Sequence, residues 1–78
     1  MIGITADIIE YTEEGVEYTL KEYTITSSYP NSIVKIIMDK FKNQISTNDD
    51  GVAVISTSIL QEHTLKVTID GETITETL

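Results

Sequence analysis

Apolar residues recur in this chain with two different spacings. Over residues 2–11, Ile2, Ile4, Ala6 and Ile8 alternate with Gly3, Thr5 and Asp7, the period of a strand with one apolar face. Thr12-Glu13-Glu14-Gly15 interrupts the pattern, and Val16, Tyr18 and Leu20 resume it. A three-residue loop with Gly15 in the left-handed region fits that interruption, giving a hairpin closed by a G1 bulge. This register sets Ile8 opposite Leu20 and Asp7 opposite Lys21. The phase slips after Lys21, where Glu22 takes an apolar slot and Tyr23 and Ile25 take the other parity. Either a bulge near residues 21–22 returns both to the core face, or the outer face is apolar there.

The second spacing begins at Ser32. Ile33, Ile37, Phe41 and Ile45 recur every four residues, with Val34 and Met38 beside them, so residues 32–45 read as an amphipathic helix. Ser32, Lys35, Asp39, Lys42 and Asn43 fall on its wet side. Ser27-Ser28-Tyr29-Pro30 leads into it; Pro30 keeps Tyr29 out of the helical region, and Asn31 or Ser32 supplies a cap. Lys40 and Lys42 sit in the last turns, where positive charge suits the helix dipole. A lone helix of this length is marginal in water, so its stripe needs a sheet to cover it.

Strand patterns return after the polar turn Ser46–Gly51. Val52 to Ile55 form a short strand, and Ser56 to Glu62 an irregular connection containing Ile59 and Leu60. His63 to Ile69 alternates again, Asp70-Gly71 is a strong two-residue hairpin turn, and Glu72 to Leu78 returns with Ile74 opposite Val67. The order is β-β-α-β-β-β over a single domain, residues 1–78. The expected fold is α+β: one amphipathic helix on a four- to five-stranded, mainly antiparallel sheet in two layers. A β-grasp arrangement suits this order, as does a plain antiparallel meander.

Composition narrows the function. The chain of 78 residues has 13 acids, five lysines, no arginine and no cysteine, for a net charge of -8. Such a charge repels nucleic acid and anionic lipid, so neither direct nucleic-acid binding nor membrane association is expected. Disulfides and thiolate metal sites are unavailable. No apolar run approaches the ~20 residues of a membrane span, and no signal-peptide pattern follows Met1. A cytoplasmic protein is the expectation. The preference for Ile, Lys, Asn and Thr suggests an AT-rich genome, such as that of a phage or mobile element.

Enzymatic chemistry finds little support. His63 is the only histidine, expected to be solvated at a strand start, and its neighbour Glu62 points to the opposite face. Ser46–Gly51 resembles half of a calcium loop. Ser46 stands where the first acid belongs, however, and Thr57 where the bidentate Glu is needed. The glycines are scattered singly, and no serine has a base nearby in sequence. No catalytic residue, metal site or cofactor is expected.

What remains is the placement of charge. Residues 31–45 carry Lys35, Lys40 and Lys42 against Asp39, so the rest of the chain is strongly acidic. The densest cluster is the first hairpin, where Glu10, Glu13, Glu14 and Glu17 are interleaved with Tyr11 and Tyr18. These six residues form either a solvated tip or a docking surface. In the second case aromatic anchors and carboxylates meet a basic surface of another protein, as in an inhibitor that occludes a nucleic-acid-binding protein by mimicking DNA. The alternative is a structural or assembly protein, a virion or oligomer component, that pairs through an edge such as Thr73-Ile74-Thr75-Glu76-Thr77. Glu72 and Glu76 would then be the charges that keep the edge from aggregating. A monomer or small homo-oligomer is expected.

Overall fold

The computed structural model describes residues 1–78 and contains seven strands and no helix. They are β1 (Gly3–Glu13), β2 (Val16–Thr26), β3 (Ile33–Met38), β4 (Phe41–Ser46), β5 (Val52–Thr57), β6 (Thr64–Ile69) and β7 (Glu72–Thr77). All pairings are antiparallel, in one sheet of order β1-β2-β5 and another of order β4-β3-β6-β7. The expected α+β fold is therefore wrong, and neither a helix-on-sheet nor a β-grasp layout applies. The molecule is a β-sandwich. Its strand order is that of an immunoglobulin-like Greek key whose fourth strand pairs with the third.

The segment expected to be helical is the β3–β4 hairpin. Asp39 and Lys40 form its turn, with Asp39 at φ 55, a region that Asp enters more readily than most residues. Apolar residues occupy both parities of Ile33-Val34-Lys35-Ile36-Ile37-Met38, so periods of two and of four both fit the string. Val34, Ile36 and Met38 are buried, whereas Ile33 and Phe41 are exposed, Phe41 by 75%. β-branched residues suit such a half-buried strand. The capping role given to Asn31 and Ser32 also falls: Asn31 takes φ 50 in the preceding turn, and Ser32 Oγ donates to the Pro30 carbonyl at 2.9 Å.

The core lies between the two sheets. Ile4, Tyr23, Ile25 and Ala53 from the first sheet face Val34, Ile36, Met38, Leu65, Val67 and Ile69 from the second, with Ile2 at the margin. Two links tie the loops beneath it. Buried Thr47 donates from Oγ1 to the Tyr29 carbonyl at 2.6 Å and accepts the Ser32 amide at 2.8 Å. Gly51 sits at φ 77 with its carbonyl accepting both the amide and the Oγ of Ser27. No helix of the molecule is long and apolar enough to cross a membrane.

The first hairpin closes differently from the expectation. Glu14 (φ 51) and Gly15 (φ 78) form a two-residue turn with both residues left-handed, the type I′ geometry that matches strand twist. The register shifts by one as a result: Ile8 lies opposite Lys21, Ile9 opposite Leu20 and Asp7 opposite Glu22. β2 runs without a bulge, and Lys21, Tyr23 and Ile25 are its buried positions. It is Val16, Tyr18 and Leu20 that face outward. At Asp70-Gly71 both residues again have positive φ, and Val67 pairs with Ile74 as the sequence indicates.

Candidate functional site

β1 and β2 are 11 residues each, but β5 pairs only with Lys21–Thr26 of β2. The distal half of the hairpin, Ile9–Glu13 with Val16–Leu20, thus projects beyond the sandwich as a two-stranded arm. Five residues per strand at about 3.3 Å each give it a reach of roughly 16 Å. It helps to account for the 42 Å long axis of a molecule only 26 Å and 17 Å across. Neither strand of the arm has a third strand beside it, and a two-stranded ribbon alone is marginally stable in water.

All six residues singled out by charge and aromaticity lie on this arm, but they divide between its faces. Pairing sets Tyr11 opposite Tyr18, Ile9 opposite Leu20 and Glu13 opposite Val16, so these six share the face turned away from the second sheet. The two tyrosine rings stack, with centroids 5.1 Å apart and planes inclined by 17°. Tyr11 remains 40% and Tyr18 42% exposed. Glu10 opposite Thr19, and Thr12 opposite Glu17, make up the other face. There the chain is on the core parity but has run past the second sheet, so Glu10 and Glu17 meet water where Ile4 and Ile25 meet the core. Glu14 sits in the turn. The arm is therefore apolar and aromatic on one side, acidic on the other and acidic at its tip.

Of the outward apolar group, Ile9 and Val16 did not stand out in the sequence. The signal was present: the slip of phase after Lys21 means that Val16, Tyr18 and Leu20 cannot share a face with Tyr23 and Ile25 in an unbulged strand. Val54 of β5 is also exposed on the same outward face, separated from the arm's apolar group by the polar row Asp7, Glu22 and Ser56.

Two further polar groups are structural. His63 is buried, contrary to the expectation of a solvated ring. Its Nδ1 lies 2.7 Å from Asp39 Oδ2 and its Nε2 2.9 Å from the Ile59 carbonyl. The ring of Tyr23 meets it edge-on at 6.2 Å. The Asp39 hydrogen bond, helped by the Ile59 carbonyl, raises the imidazole pKa above its ordinary value. The same bond, with the Thr64 amide donating to Oδ1, lowers the Asp39 pKa. Lys21 is buried too, its Nζ donating to the carbonyls of Leu78 and Gln61 at 2.8 and 3.0 Å.

The acidic residues outside the arm are placed differently. Glu72 accepts the Tyr29 hydroxyl at 3.0 Å and the Ile2 amide at 3.1 Å, so it fastens the edge of the sandwich. The Tyr29 bond holds the Glu72 pKa down. Asn48 Oδ1 accepts the amides of Asp50 and Val52, leaving Ser46–Gly51 as a turn closed by its own hydrogen bonds. No three His, Asp or Glu side chains converge as a metal site. Comparison with protein-family models, curated proteins and solved structures gives no match to this chain.

Proposed function

We propose that the protein is a small acidic binding module whose hairpin arm docks on a basic surface of another protein. The observation that carries this reading is the arm itself. A solvated tip needs only polar residues, whereas this one holds a stacked tyrosine pair, Ile9, Leu20 and Val16 on one exposed face. Aromatic side chains framed by charge are the composition of a binding hot spot. Glu10, Glu13, Glu14 and Glu17 supply steering and select a cationic partner. The sharpest form is an inhibitor that occludes a nucleic-acid-binding protein, offering carboxylates where that partner expects phosphates. It acts without catalysis, metal or cofactor, in the cytoplasm.

A second reading has an observation of its own. β7 is an edge strand with Thr73, Thr75 and Thr77 facing outward, and Thr73 and Thr77 are hydrogen-bonded to Thr68 and Thr64 of β6. An assembly protein could pair through that edge. Glu72 guards it less than the sequence implied, because its carboxylate is committed to Tyr29 and Ile2.

Capture of partners from a lysate at low and high salt tests the first reading. Glu13→Lys with Glu14→Lys should weaken capture tenfold or more. Asp49→Lys with Asp50→Lys, the same charge change on an exposed turn of the body, should not. Equal losses would mean that bulk charge alone acts.

A further inference from the structure

The outward face of the second sheet is positive and free of carboxylates. Lys35 on β3, Lys42 on β4 and Lys66 on β6 are all exposed there, on the parity opposite to buried Val34, Ile36 and Val67. None of the outward positions on β3, β4, β6 and β7 is acidic. Three of the five lysines of a molecule with net charge -8 thus share one face. Between β3 and β4 a hollow of about 380 Å³ is lined by Ile37, Gln44 and the flanking Lys35 and Lys42, among others. The opposite charge is concentrated in the arm and its base. Six of the 13 acids lie from Asp7 to Glu22, and the one lysine in that stretch, Lys21, is buried.

We propose that this lysine face is the docking site for the arm of a second copy of the chain. The inference rests on the reading of the arm as a docking element and names one partner for it. At the arm tip Val16 is 51% exposed, with Glu13 paired across from it and Glu14 in the turn. The hollow offers the complement, an isoleucine between two ammonium groups. Arm against arm would set carboxylate on carboxylate, and face against face lysine on lysine; like charges in contact carry a cost that arm against face avoids. The net charge of each copy opposes association at long range. With a screening length of about 8 Å at physiological salt, however, that repulsion fades across a molecule 42 Å long, while charges in contact still act. The contact is head-to-tail, so each copy keeps one arm and one face free, and association closes into a ring or continues as a filament.

Sedimentation velocity over a range of protein and salt concentrations tests this. Weight-average mass should rise with protein concentration and fall as salt increases. Lys35→Glu with Lys42→Glu should weaken self-association at least tenfold, and so should Glu13→Lys with Glu14→Lys. All four side chains are exposed, and thermal melting verifies that each variant is folded. An equal mixture of the two variants sets native arm against native face and reversed arm against reversed face, so it should recover the association that each variant alone has lost. Combining the four substitutions in one chain should restore self-association. A wild-type protein that stays monomeric at every concentration and salt overturns the inference, as does association indifferent to the lysine reversal. So does saturable binding of a short DNA duplex that is lost with Lys35→Glu and Lys42→Glu, which makes a polyanion the occupant. If the wild type is monomeric but the arm reversal still abolishes capture of a foreign basic protein, this inference falls and the docking reading stands. If the arm reversal changes neither, both fall.

Discussion

His63 donates from Nδ1 to the Asp39 carboxylate at 2.7 Å while its Nε2 faces the carbonyl of Ile59 at 2.9 Å. Both partners are acceptors, so only the doubly protonated ring satisfies them together. The pair joins the β3–β4 turn to the connection between β5 and β6, and Asp39 also exchanges backbone and side-chain bonds with Thr64. Lys21 is the positive group that opposes protonation, and it is outweighed by Asp39.

Stability should therefore depend on pH in a defined sense. The folded pKa of His63 is raised above its unfolded value near 6.5, so its contribution is complete below about 6.5 and is lost as pH climbs through the folded value. Asp39 works from the other side: its pKa is lowered, so its contribution is present above the unfolded value of about 3.9 and is lost as pH falls through the folded one. Melting temperature should be highest between these limits and decline above neutrality. In His63→Gln the decline on the alkaline side should disappear; an unchanged profile would show that His63 is not its cause.

Core substitutions separate the strand from the helix that the four-residue spacing suggests. Ile36→Ala should cost about 2–5 kcal/mol, because Ile36 is buried between the sheets. Phe41→Ala should stay within about 0.5 kcal/mol, since Phe41 is mostly in water. In a helix that buried Phe41 the sizes would be reversed. Chemical denaturation of the two variants decides it.

This contrast also shows how far the sequence could be read. Strands β1 and β6 were legible because their apolar residues alternate, and β7 because the Asp70-Gly71 turn pair marks the reversal; β2 was placed as a strand, but its change of parity between Leu20 and Tyr23 left its inward face open. β3 was not, because Ile-Val-Lys-Ile-Ile-Met is apolar on both parities and its turn, Asp39-Lys40, lacks glycine. The acidic aromatic cluster was visible from residue types alone. That it stands clear of the body was not, since how far β5 and the second sheet extend along β2 is set by tertiary pairing. His63 was misjudged for a similar reason: Asp39 and Ile59, its partners, are distant or unpatterned in the chain.

Gly51→Ala should be far more damaging than Gly15→Ala, although both residues have positive φ. A Cβ on Gly51 would collide with the Ser27 carbonyl oxygen, whereas one on Gly15 meets nothing within 4 Å. Left-handed strain alone costs roughly 1–2 kcal/mol. Gly51→Ala should exceed that, because the backbone of Ser27 must move and its two bonds to Gly51 suffer. Similar denaturation midpoints for the two variants would show that the 27–51 contact is not rigid.

The arm should behave as a unit uncoupled from the core. Its backbone bonds between Ile9–Glu13 and Val16–Leu20 have no neighbouring strand and no buried apolar cover, so native-state exchange should find its amides weakly protected beside those of β3 and β6. Tyr11→Ser with Tyr18→Ser removes a stack worth about 0.5–1.5 kcal/mol, but that energy stabilises the arm locally. The global unfolding free energy should shift by less than about 1 kcal/mol, because Ile4, Tyr23 and Ile25 at the base are untouched. Binding should respond quite differently. A partner seated on the arm loses two aromatic anchors, and its affinity should drop tenfold or more with little change in salt dependence, since no charge is altered. Titration of the captured partner against wild type and the double variant, at two salt concentrations, measures both quantities. An affinity unmoved by loss of both tyrosines would restrict the arm to long-range steering and place the contact elsewhere.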